Sequence, residues 1–176
     1  MTIPGTEAAM VVDANVFCYV QQFEKHHTLP SDLPVHDMFF FCSEVLARYP
    51  IAVNAFIKTE YGEAYGGPEF VKFWIKRRAV SDLAIEVPPR PIPPSVKATL
   101  RSEFRKSPTW ISRDGKYLAT ASNTQSGRLV TQNTTCFFAP SSRPHRRRRL
   151  DRYVRSTLHV SILTIDECCA LHSPCE

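Results

Sequence analysis

Short apolar runs separated by longer amphipathic stretches are the feature that most constrains the fold of this chain. Runs of strand length recur in AMVVDANVF (9–17), IAV (51–53), LAIEVPP (83–89), the start of RLVTQNTT (128–135) and LHVSILTI (158–165). Continuous apolar segments of this kind are typical of parallel strands that are buried on both faces. The sequence therefore predicts a three-layer α/β/α domain with a mostly parallel central sheet of about five strands.

The helix predictions depend on apolar spacing and on residues that start or stop helices. Asn54 is an expected N-cap, and Pro50 and the pair Gly66-Gly67 are expected stops. We expect helices in CYVQQFEKHH, MFFFCSEVLARY (38–49), NAFIKTEYGEAY, PEFVKFWIKRRAV, SVKATLRSEFRKS, SRDGKYLATASNTQSG (112–127) and DECCALH.

Composition is that of one globular domain, with 176 residues, of which 43% are hydrophobic and 22% charged. We treat residues 1–176 as a single domain. No apolar run approaches the ~18 residues of a membrane span, and residues 1–8 lack the pattern of a secretory signal. We therefore expect no membrane partner. The cysteines form no CxxC pair, which favours a protein of the reducing cytoplasm.

Polar residues follow the predicted strands or begin the helices behind them, and in a parallel sheet these positions converge on one edge. Ligands of open α/β sheets bind at that edge. Asp13 is the most informative, because a buried carboxylate needs a cation or hydrogen-bond donors. Considered singly, three of these residues have a purely structural explanation. Glu60 would be a surface charge, Asp114 a helix N-cap and Asn133 a turn residue. The whole set consists of Asp13, Asn15, Glu60, Asp114, Thr131 and Asn133.

A basic strip separates the fourth and fifth apolar runs. Between Arg143 and Arg155 lie seven arginines and one aspartate, a net charge of +6, so that the rest of the chain sums to −1 of the total +5. Such a strip suits a polyanion, most plainly a nucleic-acid backbone, and a solvated loop is the alternative. The predicted contacts to RNA, in an insertion at about 140–156, are Arg143, Arg146, Arg147, Arg148, Arg149, Arg152 and Tyr153.

Four segments in order resemble the motifs of PIN-domain nucleases: VVDANVF, IAVNAFIKTE, DGKYLATA and RLVTQN. Asp13, Glu60 and Asp114 fall on the first three acidic positions of that family. The spacing from Asp114 to Ala119 and Ala121 matches the third motif. The resemblance covers roughly residues 9–170. It departs from the family at Asn133, where the fourth acid is replaced by an amide that supplies no charge.

The resemblance implies a Mg²⁺- or Mn²⁺-dependent endoribonuclease of toxin type. Asp13, Glu60 and Asp114 would hold the metal, with Asn133 as a fourth catalytic position. Asn15 and Thr131 would orient the carboxylates from behind. The partners would be RNA and a small antitoxin, with Phe39-Phe40-Phe41 and Trp74 as a surface for the antitoxin or a homodimer, unless these side chains form core.

Two alternatives stay open at this stage. The first is a catalytically inactive relative that binds RNA or a protein partner, which the missing fourth acid favours. The second is a phosphatase that uses Asp13 as a nucleophile. The usual Asp-x-Asp pattern of that chemistry is absent, because Asn15 stands at the second position.

Overall fold

The computed structural model of the chain describes residues 5–19, 33–64, 67–132 and 144–173. Its centre is a sheet of five parallel strands in the order β3-β2-β1-β4-β5. The strands are β1 (Met10–Val12), β2 (Ile51–Val53), β3 (Ala84–Glu86), β4 (Arg128–Val130) and β5 (Ser161–Leu163). Helices flank the sheet, which confirms the predicted three-layer α/β/α architecture.

The helices connect successive strands. Helix α1 covers residues 14–19, and α2 is α-helical at Val35–Phe40, π-helical at Phe41–Val45 and α-helical again at Leu46–Arg48. The others are α3 (Ala55–Ala64), α4 (Gly67–Val80), α5 (Pro94–Ser102), α6 (Pro108–Ser112), α7 (Gly115–Ala121), α8 (Pro144–Leu158) and α9 (Ile165–His172).

The strand order places a topological switch point between β1 and β4. The chain moves outward from β1 through β2 to β3, then crosses back to β4 on the other side of β1. Right-handed crossovers place the helices of these two halves on opposite faces of the sheet. Accordingly α2 packs against α9, whereas α7 lies on β1 and β4. The carboxyl ends of β1 and β4 are therefore neighbours at the point where such sheets bind ligands.

The central strands β1 and β4 are short but almost completely buried in the core. All three residues of β1 are fully buried, and Leu129 and Val130 of β4 beside them are also inaccessible. Gly127 precedes β4 with a φ of +60°, and a Cβ there would collide with the carbonyl of His159. A side chain at this position is therefore excluded both by backbone conformation and by the close approach of the β5 entry.

Most predicted helices are confirmed, with differences at their ends. Asn54 caps α3, because its Oδ1 accepts the N–H of Ile57 at 3.1 Å. The segment 112–127 is not one helix: α6 ends at Ser112, and α7 begins after Asp114. The strip around Arg148, to which the sequence analysis assigned no helix or strand, forms the crossover helix α8 between β4 and β5. A parallel connection requires such an element.

Candidate active site

Asp13 lies directly after β1, at the switch point of the sheet. Its N–H donates to the carbonyl of Val130 at 2.8 Å, which fixes the strand end against β4. Its carboxylate accepts the Thr131 hydroxyl at 2.7 Å on Oδ2 and the N–H of Asn15 at 3.2 Å on Oδ1. The second bond caps α1, so that Asp13 has a structural role as well as a candidate chemical one.

Asp13 is only 5% exposed, so that its side chain is largely removed from water. Burial raises the pKa of Asp13 to about 6, against the lowering effects of the bonds from Thr131 and Asn15. Repulsion by Asp114 and Glu60 raises the pKa further. Ionisation of a buried carboxyl with a raised pKa therefore lowers the stability of the folded protein. A bound cation would remove that cost.

Asn15 and Thr131 join the ends of β1 and β4. The Asn15 Nδ2 donates to Thr131 Oγ1 at 3.4 Å, and Asn15 Oδ1 accepts the N–H of Gln132 at 3.3 Å. Gln132, which the sequence analysis did not single out, is buried and accepts the N–H of Ile165 through its Oε1 at 3.1 Å. In the sequence, the signal for this residue was a polar side chain at the end of an apolar, buried strand. Together these bonds hold the Asp13 carboxylate in one orientation.

A cleft of about 430 Å³ opens above this network and brings the predicted acids together. Asp13, Glu60 and Asp114 all line it, although the first follows β1, the second lies on α3 and the third precedes α7. The rest of its wall comes from the segment 107–117, namely Ser107, Thr109, Trp110, Arg113 and Tyr117. The tertiary structure thus places three carboxylates from distant parts of the chain in one concavity.

Asp114 is not explained by helix capping. It occupies the N-cap position of α7, but its side chain makes no capping hydrogen bond. Burial raises the pKa of Asp114, the nearby Arg113 guanidinium opposes that rise, and Glu60 adds to it. Asp114 therefore occupies the predicted N-cap position, but capping does not account for its carboxylate.

Glu60 lies on the side of α3 that faces the cleft. Its side chain is 21% exposed, and its Oε2 lies 3.8 Å from the Arg113 Nη2. The arginine, which sequence reasoning missed, is 62% exposed at the cleft mouth. Its position next to Asp114 in the chain was the only sequence signal for it.

Two buried tyrosines close the floor around Asp13. The Tyr61 hydroxyl donates to the carbonyl of Val12 at 2.6 Å, and the Tyr117 hydroxyl accepts the N–H of Ala14 at 3.2 Å. Burial raises the pKa of both phenols, and the negative charge of Asp13 raises it further. The tyrosines therefore stay neutral and surround the Asp13 carboxylate with packed rings.

The donor set has the chemistry that a hard divalent cation prefers, since carboxylate oxygens are the usual ligands of Mg²⁺ and Mn²⁺. The mutual repulsion that contributes to the raised pKa values of Asp13 and Asp114 is what a cation would relieve. Within the described ranges, however, no three His, Cys, Asp or Glu side chains are grouped closely enough to hold a metal ion. The three carboxylates are therefore of the right chemical type to bind a divalent cation. They would have to move closer together to do so.

The described arginines of the basic strip lie on α8, which begins at Pro144. Arg149 forms an ion pair with Glu103 at 2.7 Å, and its guanidinium lies 5.5 Å from the Phe104 ring centre. The Tyr153 ring packs on Phe104 at 5.3 Å and is half-buried. Arg148 and Arg152 are exposed. The strip therefore borders the segment that leads to the cleft, and its RNA contacts stay a prediction.

Several predicted positions have other outcomes. Asn133 and Arg143 lie outside the described residues, and Arg146 and Arg147 are described only as part of α8. Among the aromatic residues proposed as a partner surface, Phe39 is exposed and Phe41 is buried in the core. Trp74 packs edge-on against Phe17 at 5.5 Å.

The comparisons with known proteins add no assignment, because the chain matches no protein-family model, no curated protein and no solved structure. The PIN-domain resemblance therefore stays a prediction from the residues themselves. In the part of the chain that the structure describes, no helix has the length and apolar character of a membrane span.

Proposed function

We propose that this protein is a metal-dependent ribonuclease that hydrolyses phosphodiester bonds of RNA. The observation that carries the proposal is the shared cleft of Asp13, Glu60 and Asp114 at the switch point of a parallel sheet. A buried carboxyl with a raised pKa in a concave site, as Asp13 has, is typical of functional rather than structural positions.

The chain's own residues have separable roles in this proposal. Asp13, Glu60 and Asp114 would hold the cation, and Thr131 and Asn15 keep the Asp13 carboxylate oriented through the bonds at 2.7 and 3.2 Å. When bound, Mg²⁺ or Mn²⁺ supplies positive charge against a phosphodiester and increases the acidity of water. The rings of Tyr61 and Tyr117 exclude solvent from the floor of the site, which strengthens electrostatic interactions there.

The proposal is tested by cleavage of a labelled single-stranded RNA pool with Mn²⁺, with EDTA, and by the Asp13→Asn protein. We expect manganese-dependent cutting that EDTA abolishes and that Asp13→Asn reduces at least ~100-fold, since lost outer contacts alone cost 10–100-fold. Asp82→Asn is the matched control, because Asp82 is exposed and lies just before β3. It is therefore at the amino ends of the strands, whereas the cleft is at their carboxyl ends. Undiminished cleavage by Asp13→Asn would refute the proposal.

A second candidate is an RNA-binding module that does not cut. Two observations favour it: Arg113 already lies against Glu60 at 3.8 Å, and the described carboxylates do not form a metal-ligand group. In the same experiment this candidate predicts RNA binding without manganese-dependent products. That result would assign the cleft and the strip on α8 to recognition alone.

A further inference from the structure

Arg113 lines the mouth of the cleft, and its contact with Glu60 is weak. The Nη2 of Arg113 lies 3.8 Å from the Glu60 Oε2, beyond hydrogen-bond distance, and the guanidinium side chain is 62% exposed. Exposed pairs of this geometry contribute little stability. An arginine prefers a planar, two-oxygen partner that accepts two parallel hydrogen bonds. Its fork is therefore available to a second anion.

Two arginines of the strip on α8 already have acidic partners. Arg149 is paired with Glu103 at 2.7 Å, and Arg155 lies 3.6 Å from Asp151. Arg113, in contrast, lines the cleft together with Asp13 and Asp114. Among the described arginines, it is the one that borders the acidic floor.

Two lysines lie next to residues that line the cleft, since Lys106 packs on Trp110 and Lys116 precedes Tyr117 in the chain. The Lys106 ammonium lies 4.7 Å from the Trp110 ring centre, and the Lys116 ammonium lies 4.1 Å from the Phe56 ring centre. Lys106 also lowers the pKa of Asp114, which places its charge close to the floor of the cleft. An acidic floor below a basic rim suits a phosphodiester, whose anionic oxygens would meet the rim while the floor holds a cation.

We infer that Arg113 is the residue that binds the phosphate of the RNA at the cleft, exchanging its contact with Glu60 for two phosphate oxygens. The inference rests on the proposed function for its substrate class. In the absence of RNA, the weak contact with Glu60 leaves the guanidinium at the mouth of the cleft. Release of Glu60 would at the same time free a carboxylate for the floor of the site.

The test is the affinity of a short labelled single-stranded RNA in EDTA, measured over a range of salt concentrations. We expect Arg113→Gln to bind about tenfold more weakly, as for the loss of a charged hydrogen bond. We also expect the slope of log affinity against log salt to fall by about 0.7, the value for one phosphate contact of a single strand. Arg113→Lys keeps the charge but not the fork, and should bind with intermediate affinity and an unchanged slope.

Arg48→Gln is the matched control. Arg48 is 72% exposed and forms an ion pair of 2.6 Å with Glu44. It lies before β2, at the amino ends of the strands and away from the cleft. RNA affinity of both Arg113 variants equal to that of Arg48→Gln would overturn the inference, as would a wild-type protein that binds no RNA. Because binding in EDTA requires no cation, loss of binding in Arg113→Gln together with a wild-type protein that never cuts would support the inference and refute the nuclease.

Discussion

Replacing Asp13 with asparagine should stabilise the cation-free protein at neutral pH while it removes activity. The folded-state pKa of Asp13 is about 6, against an ordinary value of 3.8. A difference of about 2 units corresponds to a penalty of about 3 kcal/mol for ionising this carboxyl in the folded state. Asparagine has nearly the same shape and carries no charge, so the variant escapes the penalty.

The hydrogen bonds of the site reduce the gain. The Asp13 carboxylate accepts two bonds, from Thr131 and from the N–H of Asn15, and an amide has one oxygen to accept them. The loss of one acceptor costs about 1 kcal/mol. We therefore expect Asp13→Asn to be more stable than the wild type by about 2 kcal/mol at about pH 8 in EDTA.

The sign of the pH dependence follows from which state binds more protons. Since the folded-state pKa of Asp13 is raised, the folded protein holds this proton more tightly than the unfolded chain does. The contribution of Asp13 to the free energy of unfolding therefore falls as pH rises from about 4 through about 6, and it is constant above that window. The advantage of Asp13→Asn should vanish below about pH 4, where the carboxyl is neutral in both states.

The assay is urea denaturation of the wild type, Asp13→Asn and Asp82→Asn in EDTA, across this pH range. The midpoint should shift while the slope of the free energy against urea stays constant. Addition of Mn²⁺ should stabilise the wild type and leave Asp13→Asn unchanged, because a cation that binds the folded state alone shifts unfolding by mass action. A variant that is less stable than the wild type at about pH 8, or a difference that does not change with pH, would refute the reasoning.

Two further predictions address the neighbours of Asp13 and the basic strip. Thr131→Val removes the hydroxyl that donates to Asp13 at 2.7 Å and should cost about 1–3 kcal/mol at about pH 8, less in acid, by urea denaturation. The exposed Thr157→Val on α8 should stay within about 0.5 kcal/mol, and equal effects would contradict this role. Replacing Arg146–Arg149 with glutamine should weaken RNA binding and flatten its salt slope; an unchanged slope in a filter-binding titration would exclude the strip from the interface.

The order of strands and helices could be predicted, because the signals are local. Three buried residues such as Ile51–Val53, followed by Asn54 as a cap, predict a strand and a helix without reference to the rest of the chain. The crossover helix around Arg148 was missed, since the seven arginines between positions 143 and 155 dominate the composition there. Its buried residues Leu150, Val154 and Leu158 follow helical spacing, which was the overlooked signal.

The sequence by itself determined that Asp13 follows a buried strand. It also determined that Glu60 lies in a helix and that Asp114 begins one. Apolar runs and capping residues act over a few neighbours, and a parallel sheet collects its carboxyl ends at one edge. The tertiary structure decided that β4 lies beside β1, so that Thr131 binds Asp13, and that the segment after α5 brings Arg113 to Glu60. These contacts join residues far apart in the chain. They depend on the lateral order of strands and on the packing of whole helices, which no local pattern encodes.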